Sequence, residues 1–171
     1  MLFAFDIDGT LTDETHQIPD EVVSYLEAMH EPILFITGRI FSFAMKTLHK
    51  IKFPYYLGVQ NGADILKMPE KKLVTQHYLD KSILLKLDHM FDQREEDFLV
   101  YSGVESGDYC YYRESGFSKD ALLYLDKLKS LSAEPWKKYS SYEELPDRFP
   151  LVKIFGTPDE LSKVYEIPEV S

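Results

Sequence analysis

The chain opens Leu2-Phe3-Ala4-Phe5-Asp6-Ile7-Asp8-Gly9-Thr10, an apolar run that ends in two carboxylates two positions apart and then a glycine. Four apolar residues followed by abrupt charge read as a parallel strand buried on both faces, whose carboxyl end emerges at the rim of a sheet. Open α/β folds bind their ligands at that rim. Strand side chains alternate with period two, so Asp6 and Asp8 start out facing the same way unless the turn at Gly9 rotates the second. Two like charges held so close call for a cation, a proton or a reaction.

Outward from this segment the pattern repeats. Ile33-Leu34-Phe35-Ile36 is a second apolar run stopped by Thr37-Gly38-Arg39, and Tyr55 to Val59 is a third, closed by Asn61-Gly62. Between them, Val22, Val23, Leu26 and Met29 recur at helical spacing from Pro19 to about His30, and Phe41, Ala44, Met45 and Leu48 mark a second helix ending near Ile51. Strand, helix, strand, helix, strand predicts right-handed crossovers and a parallel sheet of an α/β fold.

Beyond Gly62 the texture changes. Ile65-Leu66 and Leu73-Val74 flank Pro69-Glu70-Lys71-Lys72 as a hairpin, and Leu79, Ile83, Leu84, Leu87 and Phe91 line a helix. Phe98 to Ser102 and Tyr109 to Arg113 read as antiparallel strands, Ala121 to Leu131 as a helix and Leu151 to Phe155 as a further strand. Thr157-Pro158-Asp159-Glu160 carries a capping hydroxyl, a proline at the first helical position and a glutamate three residues past the cap, which together start a helix. The expected division is a core over residues 1–62 and a second α/β unit over 63–171.

Composition sets limits on partners. With 44% hydrophobic, 28% charged and 14% aromatic residues, the chain is globular rather than disordered. A net charge of -10 without a basic run argues against a nucleic-acid binder. A single cysteine, Cys110, excludes an internal disulfide framework and any multi-thiolate metal site. No stretch approaches the roughly 20 apolar residues of a membrane span, and the amino terminus lacks a signal pattern, so the expectation is a soluble, cytoplasmic protein with no membrane partner.

A carboxylate is a competent nucleophile toward phosphorus, and Asp6 is placed to form an aspartyl phosphate that water then hydrolyses. Asp8 would protonate the leaving oxygen and afterwards activate that water. Magnesium bridging Asp6 and a phosphoryl oxygen would cancel the repulsion between nucleophile and substrate, while backbone amides from Ile7 through Gly9 to Thr10 receive the equatorial oxygens. A calcium loop is excluded, because its glycine would fall at Leu11 and its terminal glutamate at Gln17. Other residues admit two readings. Thr37 and Gly38 either hold a phosphate oxygen or simply cap a helix. Arg39 either faces the substrate or is solvated at a helix start, and Asn61 with Gly62 either contacts substrate or only makes a tight turn. Lys153, Tyr109, Tyr111 and Tyr112 read as structural, and His16, His30, His49, His77 and His89 show no ligand spacing.

Taken together, Asp6-Ile7-Asp8-Gly9-Thr10, Ile36-Thr37-Gly38-Arg39 and Gln60-Asn61-Gly62-Ala63 resemble the haloacid dehalogenase-like superfamily, in particular its Cof-type and sucrose-phosphatase-like branch. Pro150-Leu151-Val152-Lys153-Ile154-Phe155-Gly156 with the following helix is similar to a cap segment of that branch. The resemblance implies a Rossmann-like core, with three of its strands present, and an inserted α/β cap domain over the catalytic edge. It implies Asp6 as nucleophile, Asp8 as general acid/base, Thr37 as the phosphate-binding hydroxyl, and Mg2+ held by Asp6 and the Asp8 main-chain carbonyl. The implied activity is a magnesium-dependent phosphomonoester hydrolase acting on a small phosphorylated metabolite such as a sugar phosphate.

The family's third-motif lysine and its closing Gly-Asp-x-x-x-Asp run have no counterpart in this sequence. In relatives both follow the cap, so the expectation is an incomplete chain with a truncated cap, an unpaired edge on the Asp6 strand that invites self-association, and weak or absent turnover by itself. Two alternatives stay open: a noncatalytic remnant that binds a phosphorylated ligand or a protein, and a phosphomutase.

Overall fold

The computed structural model describes residues 1–90, 96–131 and 135–167, and its chain divides into two compact units, Met1–His77 and Tyr78–Ser171. The first unit is a five-stranded sheet in the order β1-β2-β3-β4-β5. Its strands are β1 (Phe3–Asp6), β2 (Ile33–Ile36), β3 (Tyr55–Val59), β4 (Asp64–Met68) and β5 (Lys72–Gln76). The first three run parallel and the last two antiparallel, as a hairpin laid onto β3. Helices α1 (Asp20–Ala28) and α2 (Phe41–Thr47) make the two parallel crossovers.

Burial follows the strand period. Ile33, Phe35, Tyr55, Leu57 and Val59 are buried, and Phe35 sits between Phe5 and Tyr55 with ring centroids at 6.5 and 5.2 Å. The alternate residues Ala4, Leu34, Ile36 and Tyr56 are exposed or half-buried. This corrects the expectation that the opening strand is buried on both faces. β1 lies at the sheet's edge, and right-handed crossovers between successive neighbours bring both helices to one face.

The hairpin corrects the domain boundary as well. Its change of texture marks a switch from parallel to antiparallel pairing within the same sheet, so the first unit runs to His77 rather than to Gly62. The three parallel strands expected of the core are present, and the hairpin adds two antiparallel ones to the same sheet.

The second unit centres on a four-stranded sheet ordered β11-β7-β8-β9. It is built from β7 (Phe98–Tyr101), β8 (Cys110–Tyr112), β9 (Trp136–Lys138) and β11 (Leu151–Ile154). A short pair joins β6 (Leu79–Asp80) to β10 (Arg148–Phe149). Helix α3 (Ser82–Met90) packs Ile83, Leu84 and Leu87 against Phe98, Val100, Tyr139 and Phe149. The helical pattern expected to include Phe91 passes there outside the described residues. Helix α4 (Lys119–Leu131) brings Leu125 into the core and sets Lys129 Nζ 4.2 Å from the centre of the Tyr112 ring. Short helix α5 (Pro158–Ser162) starts as its sequence predicts: the Thr157 hydroxyl accepts from the Glu160 amide, and the Glu160 carboxylate accepts from the Thr157 amide at 2.7 Å. Among the described residues no helix is long and apolar enough to cross a membrane.

Candidate active site

Register puts Asp6 beside Ile36 and Ile36 beside Gly58, so the carboxyl ends of the three parallel strands stop at one level. The loops that follow are knitted to one another. Thr37 N donates to the Gly58 carbonyl at 3.0 Å, Gln60 N to the Arg39 carbonyl at 2.8 Å and Asn61 N to the Thr37 carbonyl at 3.0 Å. Gln60 and Asn61 both take positive φ (52° and 59°), which makes the tight turn expected at this point.

The first loop wraps the Ile7 carbonyl, which accepts from the amides of Thr10, Leu11 and Thr12 at 3.4, 3.0 and 3.3 Å. Gly9 makes this possible by adopting φ +74°, a conformation costly for a side-chain-bearing residue. Ile7 is fully buried while Asp6 and Asp8 on either side of it are exposed, so the alternation of the strand persists through both acids. Their partners differ. Asp6 Oδ2 accepts from Thr10 Oγ1 at 3.4 Å, whereas Asp8 Oδ2 accepts from Thr37 Oγ1 at 3.3 Å and Asp8 Oδ1 is ion-paired with Arg39 Nη2.

Several predicted residues sit differently from expectation. Thr37 does not cap a helix: α2 begins only at Phe41, and the Thr37 hydroxyl instead accepts from the Arg39 amide at 3.1 Å, closing a local turn. Arg39 is not a solvated helix-start arginine. Its side chain is 10% exposed, with Nη1 on Thr47 Oγ1 and its guanidinium carbon 4.2 Å above the Phe43 ring. The Gly9 and Thr10 amides, expected to be open to a phosphate, donate within the loop to Thr12 Oγ1 and the Ile7 carbonyl at 3.3 and 3.4 Å. Gly38 is held by contact, since a Cβ there would stand 3.0 Å from Asn61 Oδ1. Asn61 thus lies against the Thr37 loop, at the same edge as the acids. In the second unit, Lys153 Nζ lies over the rings of Tyr124 and Phe155 at 5.5 and 5.4 Å.

Sequence reasoning passed over the Thr10 hydroxyl, Phe43 and Thr47. The last two follow Arg39 at intervals of four, the spacing that stacks side chains on one helical face, and that spacing was the available signal.

Among the described residues no group of three or more His, Cys, Asp or Glu is arranged to hold a metal. The donor set still suits magnesium. Asp6 and Asp8 are exposed oxygen donors at one edge, and this ion is commonly held by one or two carboxylates with substrate phosphate and water completing its shell. A cavity of about 540 Å³ lined by Leu26, His30, Phe53 and Tyr56 lies at the amino ends of β2 and β3, the opposite end of the sheet from these acids.

The family described as haloacid dehalogenase-like hydrolase matches residues 3–166. No curated protein matches the chain. A haloacid dehalogenase-like hydrolase from Bacteroides thetaiotaomicron superposes with a TM-score of 0.70 at 16% identity, over 96% of this chain and 61% of that one. One from B. subtilis gives 0.66 at 21% identity, over 98% and 67%. A sugar phosphatase of haloacid dehalogenase subclass IIB gives 0.67 at 19% identity, over 96% and 62%. The chain thus shares the fold of these proteins and spans about two thirds of their length or somewhat less.

Proposed function

Because this chain belongs to the haloacid dehalogenase-like hydrolase family, we propose that it is a magnesium-dependent phosphomonoester hydrolase acting on a small phosphorylated metabolite, with sugar phosphates the first class to try. The observation that carries the reading is the meeting of Asp8 and Thr37. They lie 29 residues apart in sequence, and their side chains hydrogen-bond at the edge where the Asp6 strand ends.

Asp6 attacks phosphorus through a carboxylate oxygen, the bond to the leaving oxygen breaks, and Asp8 delivers a proton to that oxygen. Asp8 then takes a proton from water as the water attacks the aspartyl phosphate, releasing phosphate and restoring Asp6. Thr37 and the Gly38 backbone are the contacts for the phosphoryl oxygens, joined by the Gly9 and Thr10 amides, whose present bonds are long enough for an anion to displace. Asn61, which lies beside Gly38, is assigned to the substrate beyond the phosphate. Magnesium, held by the Asp6 carboxylate and the Asp8 main-chain carbonyl, would neutralise charge on nucleophile and phosphate. The second unit is assigned as the cap that selects the substrate.

Hydrolysis of para-nitrophenyl phosphate with magnesium tests this reading. The Asp6→Asn variant should lose roughly a thousandfold or more of the wild-type rate, as removal of an essential nucleophile does. Equal rates in the two proteins overturn the assignment. A second reading of the same edge is ligand binding without turnover. In that case phosphate raises the melting temperature while none is released from esters.

A further inference from the structure

We propose that Arg39 is the positioning residue for Asp8, a clamp that sets the orientation of the catalytic carboxylate and does not bind substrate. This rests on the phosphatase reading for its catalytic consequence and on geometry for the clamp itself. Arg39 is held at five points. Its amide donates to Thr37 Oγ1, its carbonyl accepts from Gln60, Nη1 donates to Thr47, Nη2 meets Asp8 and its flat face lies on Phe43.

Asp8 is the more exposed member of the pair, with its side chain 43% exposed against 10% for Arg39. A carboxylate so open to water turns freely about its terminal bond unless both oxygens are occupied. Here they are: Oδ1 by Arg39 and Oδ2 by Thr37. The plane of the carboxyl is therefore fixed by one loop, whose own shape is pinned to the loop after β3 through Gln60 and Asn61. A group that must give a proton along one line and take it back along another depends on such fixing, and a displacement of about 1 Å is enough to cost on the order of a hundredfold in rate.

Use of Arg39 as a substrate contact would require breaking a charge-assisted bond to Asp8 and leaving that acid without its cation. Thr47 and Phe43 hold the guanidinium against such a swing.

The two roles part in kinetics. With para-nitrophenyl phosphate and magnesium, Arg39→Ala should lower kcat about 10- to 100-fold while KM stays within about twofold, and added guanidinium ion should restore part of the lost rate. Arg39→Lys, which keeps charge but not the two-pronged fork, should recover less than half of the loss. A KM raised tenfold with kcat unchanged, or a kcat equal to wild type, overturns the proposal. Nitrogen NMR of the Arg39 side chain in the full chain judges the clamp without turnover: the two Nη groups should give separate signals that merge in Asp8→Ala. Averaged signals in the wild type sink the clamp even if hydrolysis is robust, whereas absent hydrolysis with separate signals sinks the phosphatase reading and leaves the clamp standing.

Discussion

Arg39 and Arg113 each grip carboxylates, one in each unit, and the two arrangements differ in how completely the charges are used. Arg113 gives Nε and Nη2 to Asp97 at 2.7 and 2.8 Å, Nη2 and Nη1 to Asp88 at 2.8 and 3.1 Å, and Nη1 to the Tyr142 hydroxyl at 3.2 Å. Asp97 is 2% exposed, and the rings of Phe98, Tyr139 and Tyr142 surround the guanidinium. Arg39 meets a single carboxylate, and that one stands open to water. A network that buries Asp97 outright, with Asp88 32% exposed at its margin, ties α3 to the segments beside β7 and β8. A pair whose acid is left reachable can still exchange a proton with a ligand. Being paired to arginine is thus compatible with either role, and the exposure of the acid separates them.

Breaking the buried network should have the largest effect on stability. Arg113→Ala leaves Asp97 charged and unpartnered by its cation in the interior, at a cost of about 3–5 kcal/mol. Trp136, the only tryptophan, sits in β9 with its ring 5.9 Å from Tyr112, so its fluorescence reports the second unit. Urea unfolding followed at Trp136 should shift to markedly lower denaturant in Arg113→Ala and hardly move in Arg39→Ala. A similar midpoint for both variants removes the distinction between the two arginines.

A smaller perturbation reaches the same acid from another side. A Cβ on Gly116 would stand 2.2 Å from Asp97 Oδ2 and 2.7 Å from Asp97 Cβ, so Gly116→Ala must push Asp97 away from Arg113. We expect a loss of about 1–3 kcal/mol in the same assay, the range for overpacking a tight interior. Combined with Arg113→Ala, the second change should add much less than it does alone, because both act on one contact.

The three parallel strands of the first unit were legible because each is an apolar run stopped by a polar turn, and β3 falls at Tyr55–Val59 as read. The helical spacing read from Phe41 also marks where α2 begins; the loop before it was not legible, because the bond from the Arg39 amide to the Thr37 hydroxyl holds four residues in a turn where Thr37 could equally have capped a helix. In the second unit, β9 was missed. Two of its three residues are lysines, and it exists only through parallel pairing with β8 across the whole of α4. β6 and β10 are two residues each and define one another from opposite ends of the unit, which local pattern cannot reveal. In the site, Asp6, Asp8 and Thr37 were readable from residue type and position at strand ends. The engagement of Arg39 was not, since it depends on how the side chains of Phe43 and Thr47 lie once α2 has formed.

The least disruptive test of the comparison concerns a group inside the Arg113 network that the network does not use. The Tyr139 hydroxyl is buried without a hydrogen-bond partner among the described residues, although its ring lies against Arg113 and Tyr142. Removing a buried polar atom that has no bond to lose is nearly neutral, so Tyr139→Phe should change stability at pH 7 by no more than about 0.5 kcal/mol, with a gain as acceptable as a loss. Alkaline pH turns this small effect into a directional one. Burial pushes the Tyr139 phenol above its ordinary value of 10, so the folded state keeps the proton after the unfolded chain has begun to give it up. The hydroxyl therefore takes nothing from stability below pH 10 and progressively more as pH rises beyond it. Phenylalanine has no proton to lose. Above pH 10 the Tyr139→Phe protein should hold its Trp136 unfolding midpoint better than the wild type, and identical alkaline profiles would show that the ring's oxygen is already in contact with water.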